Sequence, residues 1–379
     1  CARGPSLRAV SEARFGDIVD GEVLGCRTPG LSVAVVEGDE LRLARSAGIA
    51  DLASGRPVTL DTVFLLFSIT KIFTATAVMQ LVDQGLVDLD RPIGEYLPAI
   101  DIDNPFDRPI TVRSLLNHSS GLPNPLPFAW ARPASEARPP LSRHAEIALR
   151  GNRAVGFEPS TDHRYTNLGY LLLGLLVEAV AGERYEDFVH RSILEPLEME
   201  RTRFSYDDAM LRDVATGYVL RGTLVHQIAR AVADRRLFGP PIGRWAATRP
   251  FLIDGTSYGG MVGTAPEVAR LLSVHVNGGV WQGRRILSQR SVAAMQEVQS
   301  TPAGQPLPYA LGWHVGELDG VRYYNHMGTG GGYRPAVRIY PSLGQGIVVL
   351  TNRTRYNPRV LTHTTLLRPL TGLPGRRRR

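Results

Sequence analysis

The chain has 379 residues, 43% of them hydrophobic, and 43 basic against 36 acidic side chains give it a formal net charge of +7. That length supports a large core in one large or two interlocked domains. Two cysteines make no disulfide framework, and no run of 18 apolar residues is present to span a bilayer as a helix. More than half of the basic excess is the run Arg376 to Arg379, with no clustered basic face or known module to favour a nucleic-acid partner. No His, Asp, Glu or Cys grouping has metal-ligand spacing, and no cofactor is implied. Cys1 in first place matches the lipid-bearing end of a bacterial lipoprotein and equally a simple chain boundary; mass spectrometry of the native N-terminus separates the two.

In chain order, residues 6 to 24 read as an amphipathic helix. LSVAVVEGDELRLARSAGIAD places apolar runs on both sides of Gly38-Asp39, a hairpin signal. FSITKIFTATAVMQLVDQG, ending at Gly85, has apolar residues on nearly every face of a helical wheel. That pattern predicts a helix inside a large protein and draws Lys71 in with it. Between 86 and 254, Pro- and Arg-rich loops separate helical patches such as LGYLLLGLLVEAVAG. TAPEVARLLSVHVNGG predicts a helix with Thr264 as N-cap, Pro266 in its first turn and Gly278-Gly279 at its close. YALGWHV, VRYYN, AVRIYP and QGIVVLTN read as antiparallel strands, and 358 to 370 as a last helix. The expected fold is α+β: an antiparallel sheet flanked by helices, formed by 1–85 and 255–379, with a mostly helical domain, 86–254, inserted.

Lys71 is the only lysine, against 42 arginines. A guanidinium does not give up its proton in a protein, whereas a desolvated amine does. Ser68 stands three residues earlier, which on a helix leaves the two Cβ atoms about 5–6 Å apart. Burial lowers a lysine pKa by up to about 3–5 units, and an adjacent base makes a serine hydroxyl nucleophilic. The first helical turn also aims the Ser68 N–H at a developing oxyanion. S-x-x-K by itself is a weak motif; the solitary lysine and its buried helix strengthen it.

Further elements follow in order. HRYTNLGYLLLG carries Tyr165-Thr166-Asn167, and NHMGTGGGY carries His326-Met327-Gly328. Smaller echoes are LLNHSSGLP, GGMVGTAPEVARLL, YALGWHV and VVLTN. Together with S-x-x-K this set resembles the serine β-lactamase-like superfamily: class C β-lactamases, D-alanyl-D-alanine carboxypeptidases and family VIII carboxylesterases. By that resemblance Ser68, Lys71 and Tyr165 are catalytic. Tyr165 is a partner base whose phenolate the Lys71 ammonium favours, and the choice of base between the two stays open. Asn167 lines the site by the same resemblance, and its place before the leucine-rich helix reads equally as an N-cap. His326 meets a substrate carboxylate or carbonyl, Gly328 permits close backbone approach, and Thr329 supplies a second oxyanion N–H. His118, in NHSSGL, reads as loop-shaping and stays outside the site.

A rival serine stands in GTSYG, residues 255 to 259, which matches G-x-S-x-G. That elbow needs a strand just before its serine and a helix just after it. FLID supplies a short strand, but the next helix opens only near Thr264, so Ser257 reads as a turn residue. Three activities share a Ser68 acyl ester: ester hydrolysis, D-amino-acid peptide cleavage and β-lactam hydrolysis. His326, where class C β-lactamases have Lys, disfavours efficient lactamase action. PNPLPFAW suits an uncharged acyl or alcohol group if it lines the cleft. The expectation is a carboxylesterase with a small ester or acyl substrate and no nucleic-acid partner. The alternatives are a D-alanyl-D-alanine carboxypeptidase or D-aminopeptidase, and a weak β-lactamase. A non-catalytic ligand-binding relative would show loss of Ser68, Lys71 or Tyr165, and all three are present.

Overall fold

The computed structural model describes residues 7–125 and 130–366. The N-terminal hairpin forms where its Gly predicts. Strand β1 (Gly30–Glu37) turns through Gly38 and Asp39 into β2 (Glu40–Asp51), with Glu37 opposite Glu40. Gly38 has φ +59°, a left-handed conformation that glycine adopts without a Cβ penalty. A short strand β3 (Arg56–Pro57) follows on the outer edge.

The C-terminal part supplies β4 (His314–Leu318), β5 (Val321–Met327), β6 (Ala336–Tyr340) and β7 (Gln345–Thr351). All seven make one antiparallel sheet in the order β4-β5-β6-β7-β1-β2-β3. Strand β1 is central and apolar on both faces because both are covered. Leu31, Val33 and Val35 join Ile347 and Val349 under Phe15 and Val19 of helix α1 (Glu12–Leu24). Ala34, Val36, Val348 and Leu350 join the main core on the other face, where a helix spanning Ala265–Val276 packs on β1 and β7.

Helix α2 (Thr70–Asp83) carries the expected all-round burial: every residue from Thr70 to Leu81 is buried. It packs against α3 (Asn167–Ala181), a leucine-rich helix that is itself buried from Asn167 to Val177. The stretch from 86 to 254 also contains short helices, among them α4 (Leu224–Val232), and two small strand pairs. One pair joins Ala131–Pro133 to Phe251–Ile253; the other joins Tyr218–Leu220 to Trp245–Ala247. Among the described residues no helix is long and apolar enough to cross a membrane.

Three expectations change. The segment 6–24 is not one helix: Arg8–Val10 is a strand, and Ser11 caps α1 by accepting from the Arg14 N–H at 3.3 Å. The last helix is a single turn, Arg359–Thr362. It gives way to a strand, Thr364–Leu366, whose β-branched threonines pair in parallel with Arg8–Val10. In YALGWHV the strand begins only at His314, because Gly312 at φ +87° breaks the extended run. Cys1, the arginine run and residues 126–129 of PNPLPFAW lie outside the described residues.

Candidate active site

Ser68 sits in a tight 3-10 turn, Phe67–Ile69, just before α2 rather than inside it. Phe67 holds φ +45°, a conformation that costs a bulky residue roughly 1–2 kcal/mol. Its ring is held 6.2 Å from that of Phe251 and 6.3 Å from that of Tyr333. From this turn Ser68 Oγ meets two polar groups: Tyr165 OH at 2.8 Å and Lys71 Nζ at 3.3 Å.

Lys71 is fully buried. Its Nζ donates to Asn167 Oδ1 at 2.8 Å and to the Tyr258 carbonyl at 2.7 Å. Among the described residues no carboxylate contacts it, and burial pushes its pKa well below the ordinary lysine range. Tyr165 is displaced in the opposite sense. Burial raises its phenol, the hydrogen bond with Ser68 offsets part of that rise, and the nearby Tyr309 adds to it. Both shifts favour an uncharged amine beside an uncharged phenol. The phenolate held by an ammonium, expected from the resemblance, runs against both directions.

Tyr165 is placed by the entry to α3. Thr166, not Asn167, is the N-cap: its Oγ1 accepts from Leu168 N–H at 3.1 Å and donates to the Pro123 carbonyl at 2.7 Å. Asn167 is thereby freed from capping. Its N–H donates to Asn124 Oδ1 at 2.9 Å while its side chain accepts from Lys71. Tyr170, one turn further along α3, also faces Lys71, with Nζ 5.4 Å from the ring centre.

The strand side comes from the end of β5. A Cβ on Gly328 would lie 2.7 Å from both Leu66 O and Phe67 Cβ, so only glycine lets this chain close on the turn that carries Ser68. Gly328 and Gly330 N–H groups are taken, by Pro335 O at 2.9 Å and Tyr333 O at 3.3 Å. The N–H of Thr329 between them, like that of Ser68, has no acceptor among the described residues. Ser68, Asn167 and Thr329 line one cavity of about 380 Å³.

His326 and Gly328 are not on that cavity wall. His326 is buried behind Tyr165, its ring centre 6.1 Å from that of Tyr165 and 5.0 Å from that of His314. Burial drives it well below the usual imidazole range, and the charges of His314, Lys71 and His118 push the same way. His314 stacks at 16° to Tyr165 and is lowered to about 4 by burial and by Lys71. His118, left outside the site by sequence, has φ +61° and lies 4.4 Å from Tyr165, ring to ring. Its Nδ1 accepts from the Thr166 N–H at 3.3 Å, so it shapes the loop and also walls the phenol.

Sequence reasoning missed Tyr258, whose contribution is a main-chain carbonyl, along with Asn124 and His314. The only signals for two of them were the echoes GGMVGTAPEVARLL, which begins just after Tyr258, and YALGWHV, which contains His314. Ser257 is fully buried in a one-turn helix, Thr256–Gly259, close behind the strand Phe251–Ile253. The helix thus begins earlier than the sequence suggested. Ser257 Oγ nevertheless has no hydrogen-bond partner among the described residues, and the α3 backbone at Gly174 is pressed against it. No group of three or more metal-ligating side chains that could hold an ion occurs among the described residues.

This sheet with its flanking helices, and a serine one turn before a buried lysine, define the β-lactamase and transpeptidase class of fold. The chain belongs to the Beta-lactamase family, whose pattern matches residues 15–371. It is similar to Penicillin-binding protein 4 of Amycolatopsis lactamdurans, 30% identical over 86% of this chain and 81% of that one. It is similar also to Protein flp of Staphylococcus aureus, at 22% identity over 93% of this chain but only 66% of that protein. Among solved structures, a D-amino acid amidase from Ochrobactrum anthropi SV3 superposes with TM-score 0.72 and 25% identity, covering 90% and 91% of the two chains. EstCE1, described as a hydrolase with promiscuous acyltransferase activity, shares the fold at TM-score 0.70 and 21% identity over 93% of this chain and 97% of its own. A class C β-lactamase from Rhodobacter sphaeroides does so at 0.66 and 23%, over 92% and 96%. The family is one of serine hydrolases.

Proposed function

We propose that this protein is a carboxylesterase-type serine hydrolase that works through an acyl ester on Ser68. The observation that carries the reading is the setting of Lys71. A neutral amine has two N–H groups and one lone pair. Asn167 Oδ1 and the Tyr258 carbonyl, acceptors at 2.8 and 2.7 Å, take up both N–H groups. The lone pair is left for the remaining neighbour, Ser68 Oγ. Lys71 is then the base, and Tyr165 donates to the same oxygen.

In the first step Ser68 Oγ bonds to the carbonyl carbon and its proton passes to Lys71. The oxyanion faces the unpaired N–H groups of Ser68 and Thr329. Collapse breaks the carbon–oxygen bond to the alcohol. The alkoxide takes a proton from Tyr165, and the Lys71 ammonium makes good that loss. Water then releases the acid from Ser68. His326 and His314 keep the phenol in place and uncharged rather than meeting the substrate directly. The amine must be neutral to act, so activity should rise with pH through a lysine pKa displaced below the usual range.

Amide cleavage is the second reading, supported by the likeness to the D-amino acid amidase. The deciding experiment sets p-nitrophenyl esters, nitrocefin and a D-Ala-D-Ala peptide before wild type and Ser68→Ala. Ester turnover with a trapped acyl adduct mapped to Ser68 supports the proposal. An adduct on another residue, or full activity in Ser68→Ala, overturns it.

A further inference from the structure

The cavity beside Ser68 has one chemical character along most of its wall. Phe67, Val219, Leu237, Phe238 and Phe251 are apolar, and Ile228 of α4 stands at the rim, 41% exposed. The described residues that line it include no charged side chain; its polar lining residues are Ser68, Asn167, Thr248, Tyr258, Thr329 and Thr354. At about 380 Å³ it is about two and a half times the roughly 150 Å³ void that accepts a benzene ring. A second cavity, walled by Ile93, Leu97 and Ile110, is smaller and lined by no titratable residue.

Resting on the Ser68 reading, we propose that this cavity is an acyl pocket for an uncharged apolar chain of about eight to twelve carbons. One observation favours the acyl side over the alcohol side. Tyr165, which returns a proton to the departing alcohol, is not on the cavity wall. The group held in the cavity is therefore the one that stays on Ser68 after the alcohol has gone. A charge at the far end would be stripped of water among phenylalanines with no countercharge, which is strongly unfavourable. Each buried methylene should raise the specificity constant by up to about fourfold. Once the chain passes Ile228 it meets solvent, and the gain stops.

The test is a series of p-nitrophenyl esters from acetate to hexadecanoate, with the mono-p-nitrophenyl ester of octanedioic acid as the charged probe. We expect kcat/KM to climb about fiftyfold or more from acetate to octanoate and to level off by about twelve carbons. The terminal carboxylate should lower it at least about twentyfold relative to octanoate. Val219→Trp should cut the decanoate-to-acetate ratio about tenfold by filling the pocket. If that variant does not fold, Ile228→Asp at the rim carries the same expectation. A flat chain-length profile, or full tolerance of the carboxylate, overturns the acyl pocket while the ester reading stands. No turnover of any ester in the series, with Ser68 unlabelled, overturns the ester reading and this proposal together.

Discussion

Ser68 and Ser257 occupy neighbouring short turns, one before α2 and one behind the strand Phe251–Ile253, yet they have opposite surroundings. Ser68 Oγ has a phenol at 2.8 Å, an amine at 3.3 Å and a cavity in front of it. Ser257 Oγ has no hydrogen-bond partner among the described residues and is covered by α3. The local motif at Ser257 matches a nucleophile elbow, but its backbone serves the other serine: the next carbonyl, of Tyr258, fixes Lys71. A hydroxyl becomes a nucleophile through its neighbours, not through the glycines on either side of it.

The sharpest way to break this comparison is to remove the neutral amine. Lys71→Arg keeps a cation that cannot act as a base, and Lys71→Met keeps the volume without nitrogen. Both should lose about a thousandfold or more in kcat against p-nitrophenyl octanoate, with circular dichroism unchanged. Either variant at wild-type rate would end the assignment of Lys71.

A smaller effect concerns the imidazoles around the Ser68 site and elsewhere in the core. Burial holds His314 and His144 at about 4 and His275 at about 3, below the unfolded value of about 6.5. Above about pH 6.5 both folded and unfolded states are neutral at these rings, and they contribute nothing to the pH dependence. Below it the unfolded chain binds protons that the native state refuses, so stability falls as pH drops toward 4. At pH 5 the loss is about 2 kcal/mol per ring. Melting curves at pH 7.5, 6 and 5 should show Tm falling steadily; an unchanged Tm would contradict the burial of these rings.

The smallest effect is expected at Ser257. Ser257→Ala removes a buried hydroxyl that makes no hydrogen bond, so kcat should stay within about twofold of wild type and Tm should hold or rise. A large loss of activity would reverse the roles given to the two serines.

Where chemistry is written in residue types at fixed spacing, the sequence was readable. Ser68 stands three residues before Lys71, the lysine is solitary, and α2 is apolar enough all round to bury it. Tyr165 and Asn167 were found because they stand together before a leucine-rich helix. The Tyr258 carbonyl was not legible, since every residue has one. His118 carried no mark that separated a wall of the site from a loop former. The cavity beside Ser68 draws on segments from Phe67 to Thr354, and only the folded chain brings these together. The strands Arg8–Val10 and Thr364–Leu366 are too short to show alternation, so neighbouring helical patterns absorbed them.

The order of strands has a consequence for how the chain reaches its native state. Central strand β1 meets β2 across a two-residue turn, but its other neighbour, β7, arrives about 300 residues later. Until then one edge of an apolar hairpin waits without its hydrogen-bonding partner, and closing so long a loop slows folding. A polypeptide halted before Gln345 would keep that edge open and self-associate rather than yield a smaller working enzyme.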